Sequence, residues 1–182
     1  MKKKIILITG SARKDSNSIA MADSFEVAAK EKGLEIKRID ATKLEIGVCH
    51  ACNTCYSVGR ACTFNDDFNK IADDLLNADG IVVACPIYWY TFPAKVKALI
   101  DKFYAFYMGG NMFTGKKCAL ISCCEEKEVE NFDGINFAFD KSFELMGAQI
   151  VGKVEITGVN DAGAIKNTDG EVQAAKLSEL FV

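Results

Sequence analysis

The chain alternates short apolar runs with longer stretches in which apolar residues return every three or four positions. Ile5-Ile-Leu-Ile8 is apolar at every position, the pattern of a strand covered on both faces of its sheet. Residues 16–32 carry a helical period and Gly33 supplies a stop. Residues 34–39 predict a second strand, and 40–65 an irregular segment. A helix capped by Asp66 or Asp67 follows, with Phe68, Ile71, Leu75 and Leu76 on one face. Residues 80–85 predict a third strand, which Pro86 ends. Pro93 suits the first turn of a helix whose apolar stripe is Val96, Leu99, Ile100, Phe103 and Tyr107. Residues 118–122 predict a fourth strand. Ile135, Phe139, Phe143 and Met146 share a helical face ahead of Gly147, residues 149–156 predict a fifth strand, and 171–181 a last helix.

Five strands and five helices in strand–helix order define an α/β chain with a parallel sheet and helices on both faces. Right-handed crossovers leave few topologies, and a doubly wound sheet in the order 2-1-3-4-5 is the most economical. No repeat, linker or change of composition divides the chain, so residues 1–182 are expected to form one domain with a cysteine-rich loop at 45–65. In such a sheet the ligand lies beyond the carboxyl ends of the strands, at the switch point between strands 1 and 3. The segments after Thr9, Cys85 and Ser122 are therefore the ones to read for chemistry.

After strand 1 comes Gly10-Ser-Ala-Arg-Lys-Asp-Ser-Asn-Ser18. Gly10 permits a tight turn, and the amides of the helix start form an anion site to which Ser11, Ser16, Asn17 and Ser18 add short donors. Arg13 adds a planar cation suited to phosphate oxygens. The loop lacks both the Walker Gly-Lys-Ser/Thr and the G-x-G-x-x-G fingerprint, which argues against nucleoside triphosphates and Rossmann-type dinucleotide binding. The bland alternative is a set of ordinary helix-capping and turn residues.

Across the same switch point lies Pro86-Ile-Tyr-Trp-Tyr-Thr-Phe92, with four aromatic residues in five positions. A flat heteroaromatic ligand needs such walls, together with amides aimed at its polar edge, here expected near Tyr88–90. Some of these rings, Trp89 and Phe92 first, are instead expected to pack beneath the next helix or on another subunit. An anion loop facing an aromatic loop reads as a site for a mononucleotide with a large ring, and FMN fits best.

The remaining composition narrows the setting. A net charge of −3 offers no basic face for nucleic acid. The apolar run behind the basic Met1–Lys4 start is too short for a signal peptide core or a membrane span, so a cytoplasmic protein is the expectation. Eight cysteines are many, and four of them, Cys49, Cys52, Cys55 and Cys62, fall in a short stretch that reads as metal ligation or redox chemistry rather than a disulfide framework. Cys85 and Cys118 occupy strand positions expected in the core. Cys123 and Cys124 lie at a strand end near the crevice, where adjacent cysteines rarely close an unstrained disulfide.

Three motifs taken together resemble the NAD(P)H-dependent FMN reductase family, in its iron–sulfur flavoprotein branch. They are Gly10-Ser-Ala-Arg-x-x-Ser-Asn-Ser18, Cys49-x2-Cys52-x2-Cys55-x6-Cys62 followed by Asp66-Asp67, and Ala78-Asp-Gly-Ile-Val-Val-Ala-Cys-Pro-Ile-Tyr-Trp89. The similarity runs from strand 1 to about Phe106. It implies a flavodoxin-like fold, FMN phosphate held by Ser11, Arg13, Ser16, Asn17 and Ser18, and a ring seated against Pro86, Ile87, Tyr88 and Trp89, with Tyr90 and Ser122 at its margin. It also implies a homodimer or homotetramer, and a 4Fe–4S cluster on Cys49, Cys52, Cys55 and Cys62. The chain departs from the pattern after strand 4, where Ser122-Cys-Cys-Glu-Glu126 replaces a small or glycine-containing loop. On ligand chemistry alone the four thiols also suit zinc, or no metal at all. His50, the single histidine, does not decide between these.

The expected activity is hydride transfer from NAD(P)H to FMN and onward passage of electrons to an unidentified acceptor, with no side chain assigned a catalytic role because the cofactor carries the chemistry. The competing reading is a flavodoxin-like electron carrier with no substrate of its own, against which Arg13 and the modest net charge both argue. A third is a zinc-stabilised interaction domain.

Overall fold

The computed structural model describes residues 2–182. Five parallel strands, β1 (Lys4–Thr9), β2 (Glu35–Asp40), β3 (Gly80–Pro86), β4 (Lys117–Cys123) and β5 (Gln149–Ile156), form one sheet in the order β2-β1-β3-β4-β5. Six α-helices surround it: α1 (Asn17–Glu31), α2 (Phe68–Asn77), α3 (Ala94–Asp101), α4 (Phe103–Met108), α5 (Asp133–Leu145) and α6 (Gly170–Leu177).

The alternation of the strands divides the core in two. Ile6, Ile8, Ile81, Val83, Cys85, Cys118 and Leu120 face α2 to α5. Ile5, Leu7, Val82, Ala84, Ala119 and Ile121 face α1 and α6. All are buried, so these runs of apolar residues contribute on both faces, at about 1.5–3 kcal/mol for each large side chain. A set of phenylalanines, among them Phe68, Phe103, Phe106, Phe113, Phe139 and Phe143, fills the thicker layer, with ring centroids 4.4 to 6.3 Å apart. The charged outer strand β2 is exposed at Glu35 and Lys37, which suits an unpaired edge.

Two details differ from the sequence reading. The stripe from Val96 to Tyr107 forms two helices, because the chain breaks at Lys102, whose side chain is turned inward. The last helix stops at Leu177 and continues as a 3-10 turn over Ser178–Phe181. Pro93 stands at the N-cap of α3, immediately ahead of its first turn. Asp66, not Asp67, accepts the amide of Phe68 at the start of α2 (3.1 Å), while Asp67 accepts that of Glu45 (2.8 Å). No helix is long and apolar enough to cross a membrane among the described residues.

Candidate functional site

At the carboxyl end of the sheet a cavity of about 210 Å³ opens between the segments that follow β1, β3, β4 and β5. Ser11, Arg13, Asp15, Ser16 and Asn17 form one side, and Pro86, Ile87 and Tyr88 the other. Cys123, Cys124 and Glu125 form the floor, with Val159, Asn160 and Ala162 closing the remaining side.

The anion side is built by close packing. Gly10 is required less for a turn than for contact: a Cβ there would stand 2.2 Å from Cγ2 of Val96 on α3 and 3.0 Å from Cβ of Cys85. Its amide donates to the Ala84 carbonyl (3.0 Å), which pins the loop to the switch point. Ser16 occupies the N-cap of α1 without capping it, and its hydroxyl meets that of Ser18 instead (3.2 Å). The first-turn amides of a 15-residue helix are therefore left for an anion from outside. Ser11 accepts the Arg13 amide through its hydroxyl (3.4 Å).

Asn17 does something the sequence does not announce. Its Nδ2 donates to the carbonyls of Val159 (3.2 Å) and Asp161 (3.0 Å), and its Oδ1 accepts the Ile165 amide (3.1 Å). The side chain is thus spent on holding the segment after β5 against α1, a wall of the cavity missing from the sequence reading. Ser18 is wholly buried and outside the cavity lining. So is Ser122, whose hydroxyl donates to the Cys85 carbonyl (2.9 Å) and ties β3 to β4.

On the opposite side, Tyr88 and Thr91 exchange backbone hydrogen bonds (3.0 and 3.1 Å) across a two-residue turn. Both central residues, Trp89 (φ 45°) and Tyr90 (φ 63°), sit in the left-handed region that such a turn normally gives to Asn or Gly. The turn holds Trp89 out of the cavity lining at 92% exposure, with Tyr90 also exposed, while Phe92 is buried in the core. Gly134 of α5 lets the turn sit close, since a Cβ there would meet the Tyr90 carbonyl at 2.2 Å. The Ile87 and Tyr88 amides are taken up by the Cys123 and Thr91 carbonyls, which leaves Trp89 and Tyr90 as the amides the turn spares. Burial pushes the Cys123 thiol up to about 12 and Cys124 up to about 11, so both are neutral, soft surfaces at physiological pH. Cys85 and Cys118 are core residues, and all eight cysteines are free.

The second site is the irregular segment 41–67. Cys49, Cys52, Cys55 and Cys62 all line one small pocket, together with His50, Phe64, Lys102 and Tyr104. Cys49 and Cys52 are exposed, Cys55 is half-buried and Cys62 is buried. The Thr54 hydroxyl lowers the Cys52 thiol, whereas burial, and then the other three thiols, raise Cys55. No group of three or more His, Cys, Asp or Glu side chains is gathered closely enough to hold a metal ion among the described residues. His50 stacks on Phe64 (4.6 Å between centroids). Lys102, absent from the sequence reading, is 2% exposed and places Nζ 3.2 Å from Cys62 Sγ and 2.8 Å from Asp66 Oδ2. Burial acts to lower it, but the bonds to Asp66 and Cys62 outweigh that and hold the ammonium above its usual range. The available signal was a lysine one turn from Leu99 and Phe106 on an otherwise apolar face.

A five-stranded doubly wound sheet in this order places the molecule in the flavodoxin-like class of α/β proteins. The model of the NADPH-dependent FMN reductase family matches residues 3–155, and the chain belongs to that family. Among curated proteins, an iron–sulfur flavoprotein of Methanosarcina thermophila is 36% identical over 99 residues, covering 54% of this chain and 51% of that protein. An iron–sulfur flavoprotein of Clostridioides difficile is 23% identical over 182 residues, 98% of this chain and 77% of that one. The chain spans about half the length of most of the curated relatives it matches. An azoreductase from Bacillus anthracis superposes with a TM-score of 0.77 at 19% identity, over 97% of this chain and 98% of that one. An FMN-dependent NADH-azoreductase of the same species, solved with FMN, gives 0.73 at 14%, over 98% of both. At these identities the structural likeness concerns the fold.

Proposed function

We propose that this chain is a single-domain FMN-dependent oxidoreductase that takes hydride from NAD(P)H and passes electrons to a separate acceptor, with a 4Fe–4S cluster on Cys49, Cys52, Cys55 and Cys62. One observation carries the reading: uncapped helix amides and Arg13 face Pro86–Tyr88 across one cavity at the switch point. The donor set suits a phosphate on one side and a flat apolar ring on the other. Four thiols on a single pocket likewise match an iron–sulfur cluster in number and chemistry.

FMN supplies two-electron hydride chemistry when bound, and a cluster one-electron transfer. The residues bind and orient. The α1 amides, Ser11 and Ser16 would donate hydrogen bonds to the phosphate and Arg13 would offset its charge, Asn17 holds the wall after β5, and Pro86, Ile87 and Tyr88 would seat the ring. The Trp89 and Tyr90 amides, which the turn leaves without a backbone acceptor, are the candidate donors to negative charge on the ring. Cys123 and Cys124 contribute neutral thiols to the floor. The exposed aromatic turn and the family resemblance support a homodimer or homotetramer.

Anaerobic purification with flavin, iron and sulfide analysis, followed by rapid mixing with NADH or NADPH, tests the reading. One FMN per chain whose absorbance bleaches on mixing supports it. A chain that takes up no FMN defeats it. Bound flavin that stays inert to both nucleotides makes the protein an electron carrier, and stoichiometric zinc without sulfide removes the cluster.

A further inference from the structure

We infer that Lys102 and Asp66 form a built-in charge setting for the cysteine pocket, with Lys102 a positioning residue that grips the sulfur of Cys62 and sets the reduction potential of a cluster held there. The inference rests on the cluster reading above.

The arrangement is directional. Lys102 leaves the helical layer at the break between α3 and α4, and its ammonium reaches the pocket nearly free of solvent. There it donates to Cys62 Sγ at 3.2 Å and to Asp66 Oδ2 at 2.8 Å, with the Phe64 ring 5.9 Å away. Asp66 is itself fixed, since its two oxygens accept the amides of Gly47 (3.1 Å) and Phe68 (3.1 Å). Cys62 is held from its other end, where its amide donates to Asn69 Oδ1 at 2.8 Å. Cys62, the most buried of the four thiols, is thus held at both its amide and its sulfur, and the bond at the sulfur comes from a cation. Hydrogen bonds to cluster sulfurs and nearby positive charge raise a cluster's potential, because they favour the more negative, reduced form. Asp66 bonds the same ammonium and partly cancels that charge. The two residues should therefore pull the potential in opposite directions.

The test uses the full chain purified anaerobically, with Lys102→Met and Asp66→Asn compared with the unaltered protein. The readouts are iron and sulfide per chain and the cluster midpoint potential from an EPR-monitored redox titration. Lys102→Met is expected to shift the midpoint to more negative values or lose the cluster, and Asp66→Asn to keep the cluster and shift it to more positive values. Shifts of the same sign, no shift in either variant, loss of the cluster in both, or loss in Asp66→Asn alone would each overturn the inference while leaving the cluster reading intact. An unaltered chain without iron and sulfide removes the cluster reading, and this inference falls with it.

Discussion

The two chemical regions are built in opposite ways. The cavity at the end of the sheet is framed by backbone: strand ends, a helix N-terminus and a tight turn, carried on strands whose apolar residues are buried. The cysteine pocket has little regular structure beneath it and is held by side-chain tethers, Lys102 to Cys62 and Asp66, Asn69 to Cys62, and Tyr104 to Asn53 at 2.8 Å. A site made from topology inherits the stability of the whole sheet. A site made from tethers can be retuned or dismantled one residue at a time, which suits an accessory redox centre better than a primary cofactor site.

This contrast is open to direct attack. The largest effect is expected from Gly10→Val, which drives new atoms into Val96 and Cys85: a loss of about 3 kcal/mol in urea unfolding, with FMN uptake lost as well. Arg13→Ala alters a side chain of the cavity lining and none of the core. It should weaken FMN binding by about 10- to 100-fold in a fluorescence titration, the scale of a charge-assisted hydrogen bond, with the unfolding midpoint unmoved.

Cys49→Ser combined with Cys52→Ser should abolish iron loading while changing FMN affinity less than about twofold, since both thiols are exposed and away from the sheet-end cavity. A joint loss of both cofactors would show that the two regions are one unit. The smallest effect belongs to Asp74, which accepts from Lys37 and from Lys4 (2.8 Å) beside the β2 edge. Hydrogen bonds from Lys37, then Lys4, hold its carboxyl below the ordinary value of 3.8. The unfolded chain thus binds the proton more readily, and the contribution is present above about pH 4 and fades as the pH falls below it. Asp74→Asn should cost less than about 1 kcal/mol at neutral pH and less again at pH 2, measured by thermal unfolding at both.

Much of the cavity was legible because its residues are contiguous and their chemistry is local. The segments 10–18 and 86–92 each carry a recognisable purpose, and the strand order brings them together. The pattern was silent where function depends on partners far apart in the chain. Asn17 looked like one more phosphate donor, yet it is occupied by carbonyls more than 140 positions away. Ser122 looked like a ring contact and proves to be a strap between strands. Lys102 drew no reading at all, because its partners Cys62 and Asp66 lie 40 and 36 positions away.

What the order of residues determined alone was the architecture: buried strands have to be apolar throughout, helices have to repeat at 3.6, and right-handed crossovers then leave one economical sheet with its crevice at the switch point. It also determined which loops bear phosphate-like, aromatic and thiol chemistry. Only the tertiary structure decided which side chains in those loops are free to act. Hydrogen-bond capacity is finite, so a polar side chain used to hold two loops together is no longer available to a ligand, and that choice is made by neighbours that no local pattern reveals.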